Sequence, residues 1–296
     1  MSADYSLPDL TGRNAVVTGA DDGIGLEVTR RLVLAGANAV MAVFDAERGR
    51  DEAAAIRAEN PRGKISVERL NLASLASVDE FAEEMAALRR PLDLLVGYSP
   101  LGPVPERLLT ANNFELQMGV QHFGPFALVG RLLPLLRRAA SPRVVTVSDP
   151  CVFSARIDLD DLDSARSYRP RNTFAQAKLA DLLYALELDR RSVRNGWRLT
   201  STAVLPGKAG LRDRLPFLPN RSDPARVALP VLYAATSPDA RGGEIYGLAG
   251  GAPARVRPPR RAQDPDVAAR LWRLSEELTG VVYGQDTRSE AEGRSR

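Results

Sequence analysis

Several residues in this chain have types and spacings that could do chemistry. The stretch "NTFAQAKLADLLYALELDRR" has the apolar spacing of one amphipathic helix, and it places Lys178 four residues after Phe174 on the same face. A lysine ammonium so placed can hold a ligand oxygen or move a proton. Only three of the 40 basic residues are lysines, Lys64, Lys178 and Lys208, an arginine preference expected from GC-rich codon usage, so a lysine here is not simply one more basic residue. Nearer the N-terminus, "VVTGADDGIGLEVTRRL" sets Gly19, Gly23 and Gly25 between a strand pattern and a helix pattern. Glycines permit the tight turn and close approach of a pyrophosphate, and the helix start supplies amides and positive dipole. His122 and Cys151 are the only residues of their kinds.

Composition narrows what these residues can serve. A chain of 296 residues with 44% hydrophobic content can bury the core of one α/β domain. The formal charge of +3, from 40 basic and 37 acidic residues dispersed along the chain, argues against a nucleic-acid partner. One cysteine excludes an internal disulfide and a multi-cysteine metal site, and one histidine excludes a histidine-rich one, so no metal is expected. The start "MSADYSLPDLTGRN" lacks the apolar core of a signal peptide, and no run of about 18 apolar residues occurs. The expectation is a cytoplasmic protein with no membrane partner.

The elements that must position these residues alternate. "NAVVTG", "NAVMAVF", "KISVERL" and "LDLLVGY" are separated by helical patterns over Gly23 to Gly36, Ala46 to Ala58 and Ser74 to Arg90. A long helix follows around "FELQMGVQHFGPFALVGRLLPLLRR", then the strand "RVVTVS", the Lys178 helix and the strand "RLTSTAVLPG". This order predicts an α/β fold with a doubly wound parallel sheet in a single domain over residues 1–284. Residues from about Gly207 to Asp223 read as an irregular segment over the end of the sheet, and the tail from 285 to 296 as a disordered polar segment.

The spacing TGxxxGxG together with "GVQHFGPFALVGRLLPLL", "RVVTVS", "IDLDDL" and "LWRLSEELTG" resembles the short-chain dehydrogenase/reductase superfamily, in its retinol-dehydrogenase-like branch, from about Leu10 to Gly280. The resemblance implies a Rossmann-type fold and NADP or NAD as cofactor, held at Gly19, Gly23, Ile24, Gly25, Asn71, Lys178, Pro206 and Gly207. It also implies a homodimer or homotetramer formed through the long central helices.

The implied active site departs from the family pattern. Where the family has an asparagine, a serine, a tyrosine and a lysine, this chain aligns Gln121, Asp149, Phe174 and Lys178. Ser148 is the alternative to Asp149 if the alignment shifts by one, and otherwise points to the opposite side of its strand. Phenylalanine has no ionisable proton, so the general acid of carbonyl reduction is missing, at a cost of about 10² to 10⁴ in rate. An ionised Asp149 would face the oxygen on which negative charge develops. The cofactor positions change in parallel: Phe44 replaces an arginine, Asn71 an aspartate, Leu211 a threonine, and Gly97 to Pro100 the segment NNAG. Asp21 and Asp22 put carboxylates in the glycine turn, where an inward-facing charge would oppose pyrophosphate.

Each feature has a plain reading and a chemical one. The glycine turn is a working cradle or a turn kept for its shape. Lys178 and Asp149 form an idle ion pair, or a carboxylate and ammonium facing one cavity and able to shuttle a proton. His122 and Cys151 read as packed structural residues, Tyr168 and Tyr184 as phenols without the spacing that points at Lys178, and "ARVRPPRR" as a solvated loop. Phe174 keeps the pocket wall and makes it more apolar, which suits a small apolar organic molecule. The leading expectation is an enzyme of this scaffold with altered, non-redox proton-transfer chemistry. The alternatives are an atypical NAD(P)H-dependent reductase and a non-catalytic ligand-binding or regulatory protein.

Overall fold

A computed structural model describes residues 5–206 and 223–284. Gly207, Leu211, the rest of the segment expected to be irregular up to residue 222, and the tail lie outside the described residues. The elements run β1 (Asn14–Thr18), α1 (Gly23–Leu34), β2 (Asn38–Val43), α2 (Ala46–Glu59), β3 (Lys64–Arg69), α3 (Leu75–Ala87) and β4 (Leu94–Gly97). They continue with α4 (Leu116–Met118), a π-helical turn (Gly119–Phe123), α5 (Gly124–Leu136), β5 (Arg143–Val147), a 3₁₀ turn (Pro150–Phe153), α6 (Pro170–Asn195) and β6 (Thr200–Leu205). The last are α7 (Pro224–Val227), α8 (Leu229–Thr236), β7 (Ile245–Ala249), β8 (Ala252–Val256) and α9 (Pro265–Thr279).

The strand order is β3-β2-β1-β4-β5-β6-β7-β8. The first seven strands pair in parallel with their neighbours, bearing out the doubly wound α/β expectation. β1 and β5 are buried at nearly every position because helices cover both faces, which is why they read as continuous β-branched runs rather than alternating ones. Strand order reverses between β1 and β4, so a crevice opens at the carboxyl ends of those two strands. The glycine turn follows β1, and Tyr98 follows β4.

Two sequence expectations change. The sheet is not wholly parallel, because β8 pairs antiparallel to β7. The run "ARVRPPRR" is also not a loop throughout: Ala254 to Val256 belong to β8, in register with Ile245 to Gly247, and Arg260 and Arg261 sit in a 3₁₀ turn. Pro253 within it and Pro258 and Pro259 after it disguise this edge strand, the position in a sheet where proline is tolerated. Arg255 points outward and pairs with Glu244 at 3.1 Å.

α6 is buried continuously from Ala175 to Leu188, which takes more than the sheet to achieve. α9 lies across it, Trp272 stacks on Tyr184, and the Arg191 guanidinium sits 4.3 Å above the Trp272 ring. Beyond α9, Val281 and Tyr283 press on Gly130 of α5, and the Tyr283 hydroxyl donates to the carbonyl of Phe126 at 2.6 Å. Parts of both central helices are thus covered by the chain's own C-terminal elements.

Candidate functional site

The glycine turn has the backbone shape its sequence requires. Gly19 and Gly23 have φ of 57° and 54°, and a side chain on Gly25 would collide with the carbonyl of Gly19. Thr18 ties this turn to the end of β4: its hydroxyl donates to the Tyr98 carbonyl at 2.7 Å and accepts from the Tyr98 amide at 2.9 Å. Asp22 caps α1 by accepting from its own neighbour Gly23 at 2.6 Å, and its second oxygen pairs with Arg48 at 2.9 Å. Ile24 packs partly against the core. Asn71 is occupied with its own turn, accepting from the Ala73 amide at 3.0 Å, while Pro206 is buried after β6 and Phe44 stands 66% exposed after β2.

The crevice over this turn is taken up by Tyr98. Its carbonyl would lie 2.8 Å from a β-carbon placed on Gly19 and its ring 3.3 Å, while its hydroxyl would lie 3.7 Å from one on Gly23. Pro100 closes on Gly19 from the same side. Burial, and after it the nearby Asp22 carboxylate, raise the pKa of the Tyr98 phenol. The Tyr98 ring, its hydroxyl and Pro100 thus stand over the two glycines of the turn.

At the end of β5 the side chains diverge. The Ser148 hydroxyl is buried and donates to the Lys178 carbonyl at 2.8 Å. Asp149 is half-buried and accepts from the Cys151 amide at 2.7 Å, capping the 3₁₀ turn that Pro150 begins. The expected Asp149–Lys178 ion pair is replaced: the Lys178 ammonium lies 3.5 Å from Asp181, one helical turn on, and 3.4 Å from the Val147 carbonyl. The i,i+3 spacing makes this pairing local to α6, while Asp149 finds its donor in its own loop.

Asp181 is a site residue that the motif spacing does not single out. Burial raises its pKa to about 7 against the opposing pull of Lys178. Its second oxygen and both polar atoms of the Gln121 amide, buried in the π-helical turn, have no hydrogen-bond partner among the described residues. Asp181 and Gln121 share a cavity of about 20 Å³ with Thr18, Tyr98, Ser99 and Tyr184, about the volume of one water molecule. The signal in the sequence was a lone acid inside the apolar run "KLADLLYAL".

A larger groove of about 1070 Å³ opens beside Phe174. Phe174, Ile157, Leu159 and Val267 form its apolar surface, with Cys151 alongside. The groove is more polar than Phe174 alone suggests, since Arg156, Arg171 and the Arg270–Asp160 pair also line it. The Cys151 thiol has its pKa pushed far up, by burial first and Asp149 second, which makes it a poor nucleophile.

The other candidates have settled partners. The Tyr168 hydroxyl donates to the Val104 carbonyl at 2.7 Å, and the Tyr184 hydroxyl meets that of Tyr283 at 2.8 Å. His122 is buried with Nε2 2.8 Å from the Ser275 hydroxyl, which itself donates to the Leu271 carbonyl, so Nε2 carries the proton. Burial lowers its pKa to about 3 and keeps the ring neutral.

The chain belongs to the short-chain dehydrogenase family, whose profile, described as short chain dehydrogenase, matches residues 13–153. Polyprenol dehydrogenase of Mus musculus is 36% identical to it, over 94% of this chain and 87% of that protein. Retinol dehydrogenase 14 of Homo sapiens is 30% identical over 92% of this chain and 87% of its own length. Among solved structures, an uncharacterized protein from Mycobacterium paratuberculosis superimposes with a TM-score of 0.82 and 35% identity, covering 94% of this chain and 97% of that one. The family is one of oxidoreductases that generally bind NAD or NADP. Among the described residues no helix is long and apolar enough to cross a membrane.

Proposed function

We propose that this chain acts on a small, largely apolar organic molecule bound in the groove beside Phe174, by proton transfer without a dinucleotide. The observation that carries this reading is the Tyr98 ring across the crevice between β1 and β4. Its support at the reacting end is Phe174 in place of an ionisable phenol, with the Asp149 carboxylate held by the Cys151 amide. Asp149 is the proton acceptor in this reading. One of its oxygens is oriented by that amide, so the carboxylate is presented in a defined direction. Phe174 and its apolar neighbours shed water from the ligand, and Cys151, whose amide holds Asp149, lines the same groove. Lys178 lies on the same helix as Phe174, tethered to Asp181. An apolar ligand also accords with relatives named for polyprenol and retinol.

The test is to titrate the purified protein with NADPH and NADH by calorimetry, and to identify a turned-over compound by mass. Absence of nucleotide heat, a product at the oxidation level of its substrate, and loss of turnover in Asp149→Asn support the reading. Micromolar nucleotide binding with cofactor oxidation matching product formation would replace it with an NAD(P)H-dependent reductase, the reading favoured by the preserved shape of the glycine turn.

A further inference from the structure

We propose that Tyr98 is the specificity-determining residue that excludes dinucleotides from this chain, acting as a built-in occupant of the crevice at the sheet's switch point. The proposal rests on the cofactor-free reading above and assigns the exclusion to one side chain.

In a doubly wound sheet the ligand position is set by topology, outside the carboxyl ends of the two strands where the order reverses. Here those strands are β1 and β4, and the residue just after β4 is Tyr98. Its backbone is clamped at both polar atoms by the Thr18 hydroxyl, so the chain cannot carry the residue away from the crevice without breaking two hydrogen bonds. From that anchor the ring reaches from Gly19 to Gly23, with Pro100 beside it. These are the positions where the missing side chains of the turn leave the backbone open to a ligand, so the phenol ring covers the surface a pyrophosphate needs. Its inner side packs against the core cluster that contains Val17 and Val96, which gives the closed position a packing advantage over a ring swung into water. A dinucleotide therefore binds only the fraction of molecules with the ring displaced, and its apparent affinity falls by that fraction.

The other features of the turn do not close it. The glycine conformations are kept, and Asp22 is 61% exposed with its charge directed to Arg48. Removing the ring leaves a turn of the required shape with an arginine at its mouth. The ring, rather than the carboxylates, is the obstacle.

The experiment compares the full chain with Tyr98→Ala, Tyr98→Asn and Tyr98→Phe, measuring NADPH and NADH binding by calorimetry, with circular dichroism to confirm folding. The expected result is no binding heat in the original protein at millimolar nucleotide, no binding in Tyr98→Phe, which keeps the ring, and micromolar binding in Tyr98→Ala or Tyr98→Asn. A gain of at least about 100-fold follows if the displaced ring is populated at about 1% or less. Folded Ala and Asn variants that stay silent would overturn the assignment to Tyr98 and leave the cofactor-free reading standing. Equal micromolar binding by the original protein and the variants would overturn both. If the alanine variant does not fold, the asparagine variant, which retains a polar side chain beside Thr18, decides the matter alone.

Discussion

Replacing Asp181 with asparagine should remove a loss of folding stability that accumulates as pH rises from 5 to 8. The pKa of Asp181 is raised from 3.8 to about 7, and the leading cause is burial. Between those values the folded protein keeps a proton that the unfolded chain has released, so this group's contribution is full below about pH 4 and is lost as pH rises through 7. The loss runs at about 1.4 kcal/mol per pH unit, or about 3 kcal/mol between pH 5 and pH 8. His122 tilts the curve the other way, because its pKa is lowered to about 3 and its contribution, full above about 6.5, is lost as pH falls. In the original protein the two slopes oppose each other from about pH 4 to 6.5, and a single denaturation series would conceal both. Urea unfolding of the original protein and of Asp181→Asn at half-unit pH steps separates them. Losing the carboxylate from the Lys178 pair displaces the variant's curve, while losing the titration changes its tilt. The stability difference between the two proteins should change by about 3 kcal/mol across the range. Parallel curves would refute the argument that Asp181 takes up a proton near neutral pH in the folded state.

The counterpart variant, His122→Gln, should remove the acid-side loss, so that between pH 6.5 and 5 it gains about 2 kcal/mol relative to the original protein; urea midpoints at both pH values check this. Gly25→Ala should destabilise by about 1–3 kcal/mol or more, because the added carbon meets a backbone carbonyl that cannot move independently, and thermal unfolding will report it. The Cys151 thiol should react with iodoacetamide at pH 8 at least tenfold more slowly than a model thiol, and faster in Asp149→Asn, whose neutral amide no longer disfavours the thiolate; mass spectrometry against time follows both.

The sequence alone determined the sheet and its winding, because strands covered on both faces become runs such as "RVVTV" and the intervening helices carry a different period. It also placed Lys178 on its helix, the three glycines at their turn and Phe174 without a proton to give. Local features of this kind survive in sequence because a few adjacent residues cause them. Tertiary structure alone decided the partners. Asp149 turned to its own loop and Lys178 to Asp181, because the choice depended on which donor each carboxylate could reach after β5 and α6 had docked. The edge strand β8 was hidden by prolines, and its pairing with β7 is a contact that periodicity does not record. Tyr98 was legible only as a departure from an expected segment, 79 residues from Gly19. Its position across the crevice exists because the sheet's winding brings the ends of β1 and β4 side by side.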